Sequence, residues 1–446
     1  MKALIIAAGN GTRMQPVTRG RHKSLMPLLG LKIIERVLLG AKAAGISEFV
    51  IVTGYKGDVF RARVGDGSKY GVSITYVQND DWEKANGISA LKAKAHFRDN
   101  FVLLMSDHVF SVKILIKIQR LKLKAGESVL AIDRNMDSAL DIADTTKAIV
   151  KNGNVHSLNK NLESYNAFDT GMFVCSPYIF EALKRSVSRG KNSLSDAMRI
   201  LASEGRLRAF DIGGAFWSDC DTYADIKFAE KKLLKSLTKP LDGAVSKAIN
   251  RRVSTFLTRF LVLTAVTPNM ISYGIVLLGL LTFFLLSKGV YPWIFIGGLL
   301  IQLMSILDGC DGEVARLKFI GSAWGGYLDA NLDKYVDAFS VAGMAYGYLA
   351  VSGNLFVIPL AVFVMLTLGL DGYMPNKFKV DTRRKLNFPG PQYLNIKRDS
   401  RLLILALGAM INQVFLSFIV LLVFYQYKMI VRMIASKQIT DEVQLA

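Results

Sequence analysis

Residues 308–316 read Asp308-Gly-Cys-Asp311-Gly312-Glu-Val-Ala315-Arg316, and eight residues later come Gly325, Asp329 and Asp333. Apolar runs of membrane-crossing length lie on either side. Ionisable groups in such a place are costly and mark a functional site. Asp308 and Asp311 are three apart, and Asp329 and Asp333 four apart, so on helices each pair shares a face. Two such helices facing each other would aim four carboxylates at one point, and their repulsion calls for a divalent cation. Gly309, Gly312, Ala315 and Gly325 leave room for a substrate against the backbone. Solvation at a membrane boundary, or pairing with Arg316 and Lys318, would account for any one acid but poorly for four at this spacing.

The pattern D-x2-D-G-x2-A-R-x8-G-x3-D-x3-D resembles the signature of CDP-alcohol phosphotransferases at every motif position. The resemblance implies that Asp308, Asp311 and Asp329 hold Mg2+ or Mn2+ on the pyrophosphate of a CDP-alcohol. It implies that Gly312, Ala315 and Arg316 line the nucleotide. It makes Asp333 the base for an acceptor hydroxyl, and a metal contact as well. The hydroxyl attacks the β-phosphorus and CMP leaves. Lys397, Arg398 and Arg401 are candidates for the acceptor's anionic group, although a cytoplasmic excess of positive charge would also account for them. Asp337, one turn past Asp333, has no assigned role.

Around this stretch the hydropathy predicts spans at Met270–Leu286, Tyr291–Leu307, Gly325–Val351 and Leu355–Leu370. The run Leu402–Tyr427 is long for one span and short for two, and Asn412-Gln413 could mark a hairpin within it. The family pattern implies six spans. Gly343-x3-Gly347 permits close helix packing, within one subunit or between the subunits of an expected homodimer. Lys and Arg crowd the segment before the first span and the loop 373–401, which includes Arg384 and Lys385. By the positive-inside rule both acid pairs then face the cytoplasm. Val245–Leu263 alternates apolar and basic residues and reads as a helix on the membrane surface, basic face to the headgroups. A solvated linker is the alternative.

The N-terminal half has a different grammar. Lys2–Ala7 reads as a buried parallel strand, followed by the loop Ala8-Gly9-Asn-Gly11-Thr12-Arg13-Met14. Glycines let backbone N–H groups approach phosphate, and Arg13 adds charge. An ordinary strand-to-helix turn would look much the same. Pro16, Thr18 and Lys23-Ser-Leu-Met-Pro27 follow, ahead of an amphipathic helix over 31–44. Strands at Glu48–Thr53, Val72–Val77 and Phe101–Met105, with a helix over 57–64, predict a mostly parallel sheet with helices on both faces. Asp107 and His108 come at the carboxyl end of a strand, where open α/β sheets bind ligands.

Residues 4–28 resemble the start of nucleotide-sugar and cytidylyl nucleotidyltransferases, and the likeness extends over roughly residues 1–232. It implies that the loop holds a nucleoside triphosphate. Lys23 would contact the phosphates and Arg13 the leaving pyrophosphate. Asn86, Gly87 and Ser89 would read the base, although Asn86 also suits a plain helix start. Asp107 would bind magnesium, with Asp219 and Asp221 competing to be the second ligand; Asp221 also suits a helix cap. Lys147, Asp169 and Gly171 fall near the second substrate.

The chain has 446 residues, 51% of them hydrophobic, and a formal net charge of +20. The basic excess fits phosphates and lipid headgroups, and no zinc-finger or RNP-like motif indicates nucleic acid. Cys175, Cys220 and Cys310 have no ligand spacing and predict no disulfide framework. Met1–Ala8 runs straight into the glycine loop, unlike a signal peptide.

The expected architecture is therefore a Rossmann-like α/β nucleotidyltransferase domain over 1–232 and a basic linker with a juxtamembrane helix over 233–268. An all-α polytopic membrane domain follows over 269–446. The fusion as a whole resembles bifunctional enzymes that make CDP-inositol from CTP and inositol-1-phosphate and pass it to a second inositol-1-phosphate. The alternative is a fusion to a phospholipid synthase that uses another CDP-alcohol or a lipid acceptor.

Overall fold

The computed structural model describes residues 1–14, 20–136, 142–239, 242–383, 386, 388–391 and 395–444, with side chains to 440. Pro16, Thr18, Pro240, Arg384 and Lys385 lie outside the described residues. The chain divides into two compact units, Met1–Ser236 and Leu237–Ala446.

The first unit is built on a nine-stranded sheet. Its strands are β1 (Ala3–Ala7), β4 (Glu48–Thr53), β5 (Ser73–Gln78), β6 (Phe101–Met105), β8 (Ser128–Asp133), β9 (Lys147–Lys151), β10 (Asn154–Asn159), β11 (Ala167–Cys175) and β12 (Leu207–Asp211). The order is β5-β4-β1-β6-β11-β8-β12-β10-β9. Two small hairpins complete the set: β2 (Pro27–Leu28) with β3 (Leu31–Lys32), and β7 (His108–Phe110) with β13 (Trp217–Asp219).

The sheet is mixed, which corrects the expectation of a mostly parallel one. β5, β4, β1 and β6 run parallel, but β11 is antiparallel to both its neighbours β6 and β8. β9 and β10 are joined by Asn152-Gly153, both at positive φ, the two-residue turn that reverses a strand. β9 pairs antiparallel with β11 as well as with β10, so β10 and β11 run the same way across the link 160–166.

The helices of this unit are α1 (Ile33–Ala43), α2 (Gly57–Val64), α3 (Asn86–Lys92), α4 (Val112–Ile118), α5 (Ile179–Ser188), α6 (Leu194–Ser203) and α7 (Tyr223–Lys235). α1 begins later than its apolar pattern predicts, because Leu31 and Lys32 pair with Pro27 and Leu28 across the positive-φ turn Leu29-Gly30. Residues alternate along β1 between two cores. Ala3 and Ile5 pack with α1, α2 and α4, and Leu4 and Ile6 with α3, α5 and α6. Both faces of the sheet are thus covered, as a buried parallel segment requires.

The second unit is helical among its described residues. A π-helical turn, Ser246–Asn250, leads into α8 (Arg251–Leu261). Then come α9 (Pro268–Ser287), α10 (Tyr291–Lys318), α11 (Ala323–Ser352), α12 (Val357–Thr382), α13 (Arg398–Met410) and α14 (Val414–Gln444). Four of these, α9, α10, α12 and α14, are long and apolar enough to cross a membrane. α11 has the length but carries Asp329, Asp333, Lys334 and Asp337. α13 has 13 residues, about 20 Å of helix against a hydrocarbon core of about 30 Å. The polar pair Asn412-Gln413 does break the last apolar run. Asn412 has φ +56, and the Gln413 N–H turns back to the Gly408 carbonyl at 2.6 Å.

Gly343 and Gly347 pack within the chain. A Cβ on Gly343 would stand 2.9 Å from the Phe283 carbonyl oxygen, and one on Gly347 would stand 2.1 Å from that of Leu286. Their smallness lets α11 lie against the end of α9. α8 turns Ser254 and Thr258 inward and leaves Val253, Phe256, Phe260 and Leu263 exposed together with Arg252. Its outer face is thus apolar with flanking charge.

Candidate active sites

In the first unit β1 delivers its loop at the carboxyl end of the sheet. Gly11 has φ +58, and a Cβ there would stand 2.9 Å from the Lys23 Cβ. The glycine is needed both for its conformation and for the lysine stem that passes over it. Lys23 is held by its neighbours. The buried His22 ring lies 3.1 Å from the Ala7 carbonyl and accepts from the Ser24 N–H, while Ser24 Oγ donates to Ser106 Oγ at 2.8 Å.

The cations and acids converge. Lys23 Nζ lies 2.6 Å from Asp107 and also ion-pairs with Asp221. Arg13 ion-pairs with Asp221 and with Asp144, which in turn holds Lys160 at 2.6 Å. Burial alone would lower the Lys23 pKa, but Asp107 and Asp221 outweigh it and the pKa is raised. Burial alone would raise Asp107, yet Lys23 and His108 hold it well below the usual carboxylate range. Asp219 faces His108 across β7 and β13, and burial pushes it up to about 6. Two carboxylates already clasp one ammonium here, so the donor set suits a cation. Asp221 shares the Lys23 contact with Asp107, and Asp219 does not.

A cavity of about 220 Å³ adjoins this cluster. Asp107, His108, Asp169, Gly171, Asp219 and Asp221 line it. Asp169 accepts from the Gly171 N–H at 2.7 Å. Lys147 is not on this wall; its ammonium lies over the Tyr165 ring at 5.3 Å. Lys160 and Asp144 are on the wall, and the sequence reading missed both. Neither stands in a recognisable pattern, and Asp144 is 131 residues from the Arg13 it meets. Asn86 starts α3 and accepts from the Leu194 N–H. The Gly87 N–H donates to the Asn192 carbonyl, and Ser89 Oγ accepts from Asn79 in a buried contact. Ala8, Gly9 and Thr12 stay on the glycine loop.

The second site lies where α10 and α11 present their acids. Carboxylate oxygens of Asp308, Asp329 and Asp333 come within 4.8 Å of one another, the one such cluster among the described residues. Three hard oxygen donors this close fit a divalent cation. Asp311 lines the same cavity, of about 190 Å³, and accepts from Ser272 Oγ at 2.8 Å. Arg398 reaches into the cluster, 2.7 Å from Asp308 and 2.9 Å from Asp333. Asp337 lies 3.4 Å from Arg398 and ion-pairs with the buried Arg401. Arg401 is thus taken up by a counter-ion, as a buried charge requires, and Arg398 is the arginine that meets the acids. Lys397 caps the start of α13. Gly312 and Arg316 line the cavity, Ala315 sits on the same helix, and Ser322 caps α11 at Gly325.

Gly309 has a second use. A Cβ there would stand 2.9 Å from Arg251 and 3.2 Å from Ser254, so α8 crosses α10 at this residue. Glu313, inside the motif, is fully buried under the same helix.

Residues 2–236 match the nucleotidyl transferase family model and residues 265–436 the CDP-alcohol phosphatidyltransferase model. Among the relatives that carry the name bifunctional IPC transferase and DIPP synthase are the following three. The one from Rubrobacter xylanophilus is 32% identical over 92% of this chain and 90% of its own. That from Archaeoglobus fulgidus is 33% identical over 94% of this chain and 80% of its own. That from Thermococcus kodakarensis is 33% identical over 94% of both chains. With both family models in the same order and this identity across nearly its whole length, the chain belongs to the family of bifunctional IPC transferases and DIPP synthases.

Proposed function

We propose that the first unit transfers CMP from CTP to inositol-1-phosphate, and that the second transfers inositol phosphate from the resulting CDP-inositol to another inositol-1-phosphate. The observation that carries this is the presence of two separate acid clusters, Asp107 and Asp221 about Lys23 and Asp308, Asp329 and Asp333 in the second unit, in one chain whose relatives are named for two joined activities.

In the first reaction a phosphate oxygen of inositol-1-phosphate bonds to the α-phosphorus of CTP, and the bond to pyrophosphate breaks. Arg13 and Lys23 stabilise the charge that moves onto pyrophosphate. To receive it they exchange their present carboxylate partners for phosphate. Lys160 and His108, on the adjoining cavity, face the incoming phosphate monoester, and Asp169 accepts from a polyol hydroxyl. Asp107 and Asp221 hold Mg2+ or Mn2+. Asn86, Gly87 and Ser89 shape the base end through α3.

In the second reaction an acceptor hydroxyl bonds to the inositol-bearing phosphorus of CDP-inositol, and CMP leaves. Asp308, Asp329 and Asp333 hold the cation with Asp311 beside them. When bound, the cation supplies charge neutralisation of the pyrophosphate. Asp333 takes the hydroxyl proton, and Arg398 orients the acceptor phosphate against the acids. Gly312, Ala315 and Arg316 form the nucleotide wall. CMP leaves with the bridging oxygen, and the proton taken up by Asp333 passes to the departing phosphate or to solvent, which restores the base.

The second unit is proposed to cross the cell membrane six times, with α11 and the short α13 added to the four apolar helices. The first unit and both sites then face the cytoplasm. The Lys and Arg content before α9 and after α12 supports that orientation, and the exposed apolar face of α8 supports a seat in the interface. A homodimer would cover part of the exposed apolar surface of α11 and α12, including Tyr335, Tyr346 and Phe363.

Purified chain in detergent, given magnesium, CTP and labelled inositol-1-phosphate, should yield an aqueous phosphodiester bearing two inositols. Asp107→Ala should lower pyrophosphate release by about 100-fold or more, the scale at which a charge-stabilising group is lost, and leave transfer from added CDP-inositol intact. Asp333→Ala should do the reverse. Loss of both activities in either folded variant would sink the two-site reading, and label in the lipid phase would transfer the second reaction to a lipid acceptor.

A further inference from the structure

Glu313 lies inside the acid motif, two residues past Asp311, yet it points away from the acids. Its side chain is fully buried. One carboxylate oxygen accepts from Arg251 Nη1 and from Ser254 Oγ, each at 2.7 Å. The other accepts from Thr258 Oγ1 at 2.7 Å. The three donors come from successive turns of one face of α8. Arg251 is held in turn by Asp242, at 2.9 and 3.1 Å. One residue before Arg251, Asn250 donates to Ser305 and accepts from Gln302. α8 is therefore tied to α10 from residue 302 to residue 313, and it passes over Gly309, between Asp308 and Asp311.

Apolar side chains could hold α8 against α10 at least as firmly, because burying a carboxylate is expensive. What a three-donor carboxylate adds is register. A slip of α8 by one turn, or a rotation, would strip all three bonds and leave a bare buried charge. The register has a consequence for the site: Asn250, Arg251 and Ser254 stand on the wall of the cavity that also holds Asp308, Asp311 and Asp329.

We propose that Glu313 is a positioning residue of the phosphotransferase site, clamping α8 across the motif helix in one register so that α8 closes the cavity wall beside Asp308 and Asp311. The proposal rests on the reading that this cavity takes the CDP-alcohol. The site is then incomplete until α8 has docked, although no group of Glu313 touches substrate.

The test uses the full chain in detergent and measures transfer from CDP-inositol to inositol-1-phosphate against donor and magnesium concentrations. Glu313→Ala should lower kcat/KM for the donor by about 10- to 100-fold, the usual cost of losing a group that supports metal ligands, and should raise the magnesium needed for half-maximal rate. Glu313→Gln, whose single oxygen can accept on one side only and which cannot pair with Arg251 as an ion, should fall between. CTP-dependent pyrophosphate release should stay at the wild-type level. A variant with a lower unfolding midpoint but wild-type donor KM and magnesium dependence would overturn the proposal and leave Glu313 a fold-stabilising residue only. If Glu313→Ala does not fold, Thr258→Val removes a single bond: a smaller shift in the same direction supports the clamp, and unchanged donor and magnesium dependence overturns it. Wild-type chain without transfer from CDP-inositol would overturn both the reading of the cavity and the role of Glu313, whereas a failure confined to the variants touches Glu313 alone.

Discussion

Asp169 shows how a single side chain is set against stability for use. Burial pushes its carboxyl up to about 6, against the opposing pull of the Gly171 N–H and His108. A raised carboxyl favours the neutral form in the folded protein. Its contribution to stability is full below the unfolded value and fades as pH rises through about 6. Asparagine keeps the shape without the charge and can still accept from Gly171. Asp169→Asn should therefore melt higher than wild type at pH 7, with the gap closing toward pH 4, as followed by thermal unfolding across that range. Its KM for inositol-1-phosphate should rise, because a carboxylate accepts from hydroxyls better than an amide does. An unchanged KM would remove Asp169 from the polyol contact. At this scale legibility followed sequence distance. Lys23, Asp107 and the motif acids stand in short patterns. Asp144, Lys160 and Ser272 acquire their places only from partners far along the chain, such as the Ser272–Asp311 bond over 39 residues.

At the scale of elements, α9 and α11 depend on two glycines. A Cβ on Gly347 would meet a carbonyl oxygen at 2.1 Å, and backbone cannot swing aside as a side chain can. Gly347→Ala should destabilise the helical unit by about 1–3 kcal/mol, the usual range for overpacking. In detergent this should lower the temperature at which transfer from CDP-inositol is lost, while cytidylyl transfer at the other site keeps its wild-type thermal profile. Equal loss of both would mean that the effect is not local to this packing. Element boundaries were largely legible. β4, β6 and α2 fall where the alternation of apolar residues put them. Strand direction was less so: an apolar run reports that a strand is buried but not which way it runs, and β11 lies antiparallel to β6 and β8 through pairings with segments far along the chain. The same limit applies to α8, whose periodicity marks two faces without saying which one another helix will take.

At the scale of the molecule, two compact units on one chain predict separable chemistry. Residues 1–236 contain Arg13, Lys23, Asp107 and Asp221 with both cores of the sheet. Produced alone, this piece should form CDP-inositol with kinetic constants within about twofold of the full chain, the scatter expected of independent sites. Failure of a soluble, folded 1–236 to release pyrophosphate would mean that the second unit completes the first site.

What the sequence determined by itself is the chemistry. The glycine loop, the K-x-L-x-P segment and the spaced aspartates are local patterns, because binding one small group of atoms such as a phosphate or a metal ion would dictate residue type and spacing directly. Hydropathy likewise marked where the long apolar helices begin, since the solvent acts on each segment separately. Only tertiary structure decided which acids meet and which side chains occupy them in the absence of ligand. Asp333 was legible, but its contact with Arg398 was not; Glu313 was visible, but its three donors on α8 were not. Those pairings arise where helices cross, and the crossing is set by side-chain volume and buried polar bonds between segments that carry no mark of one another.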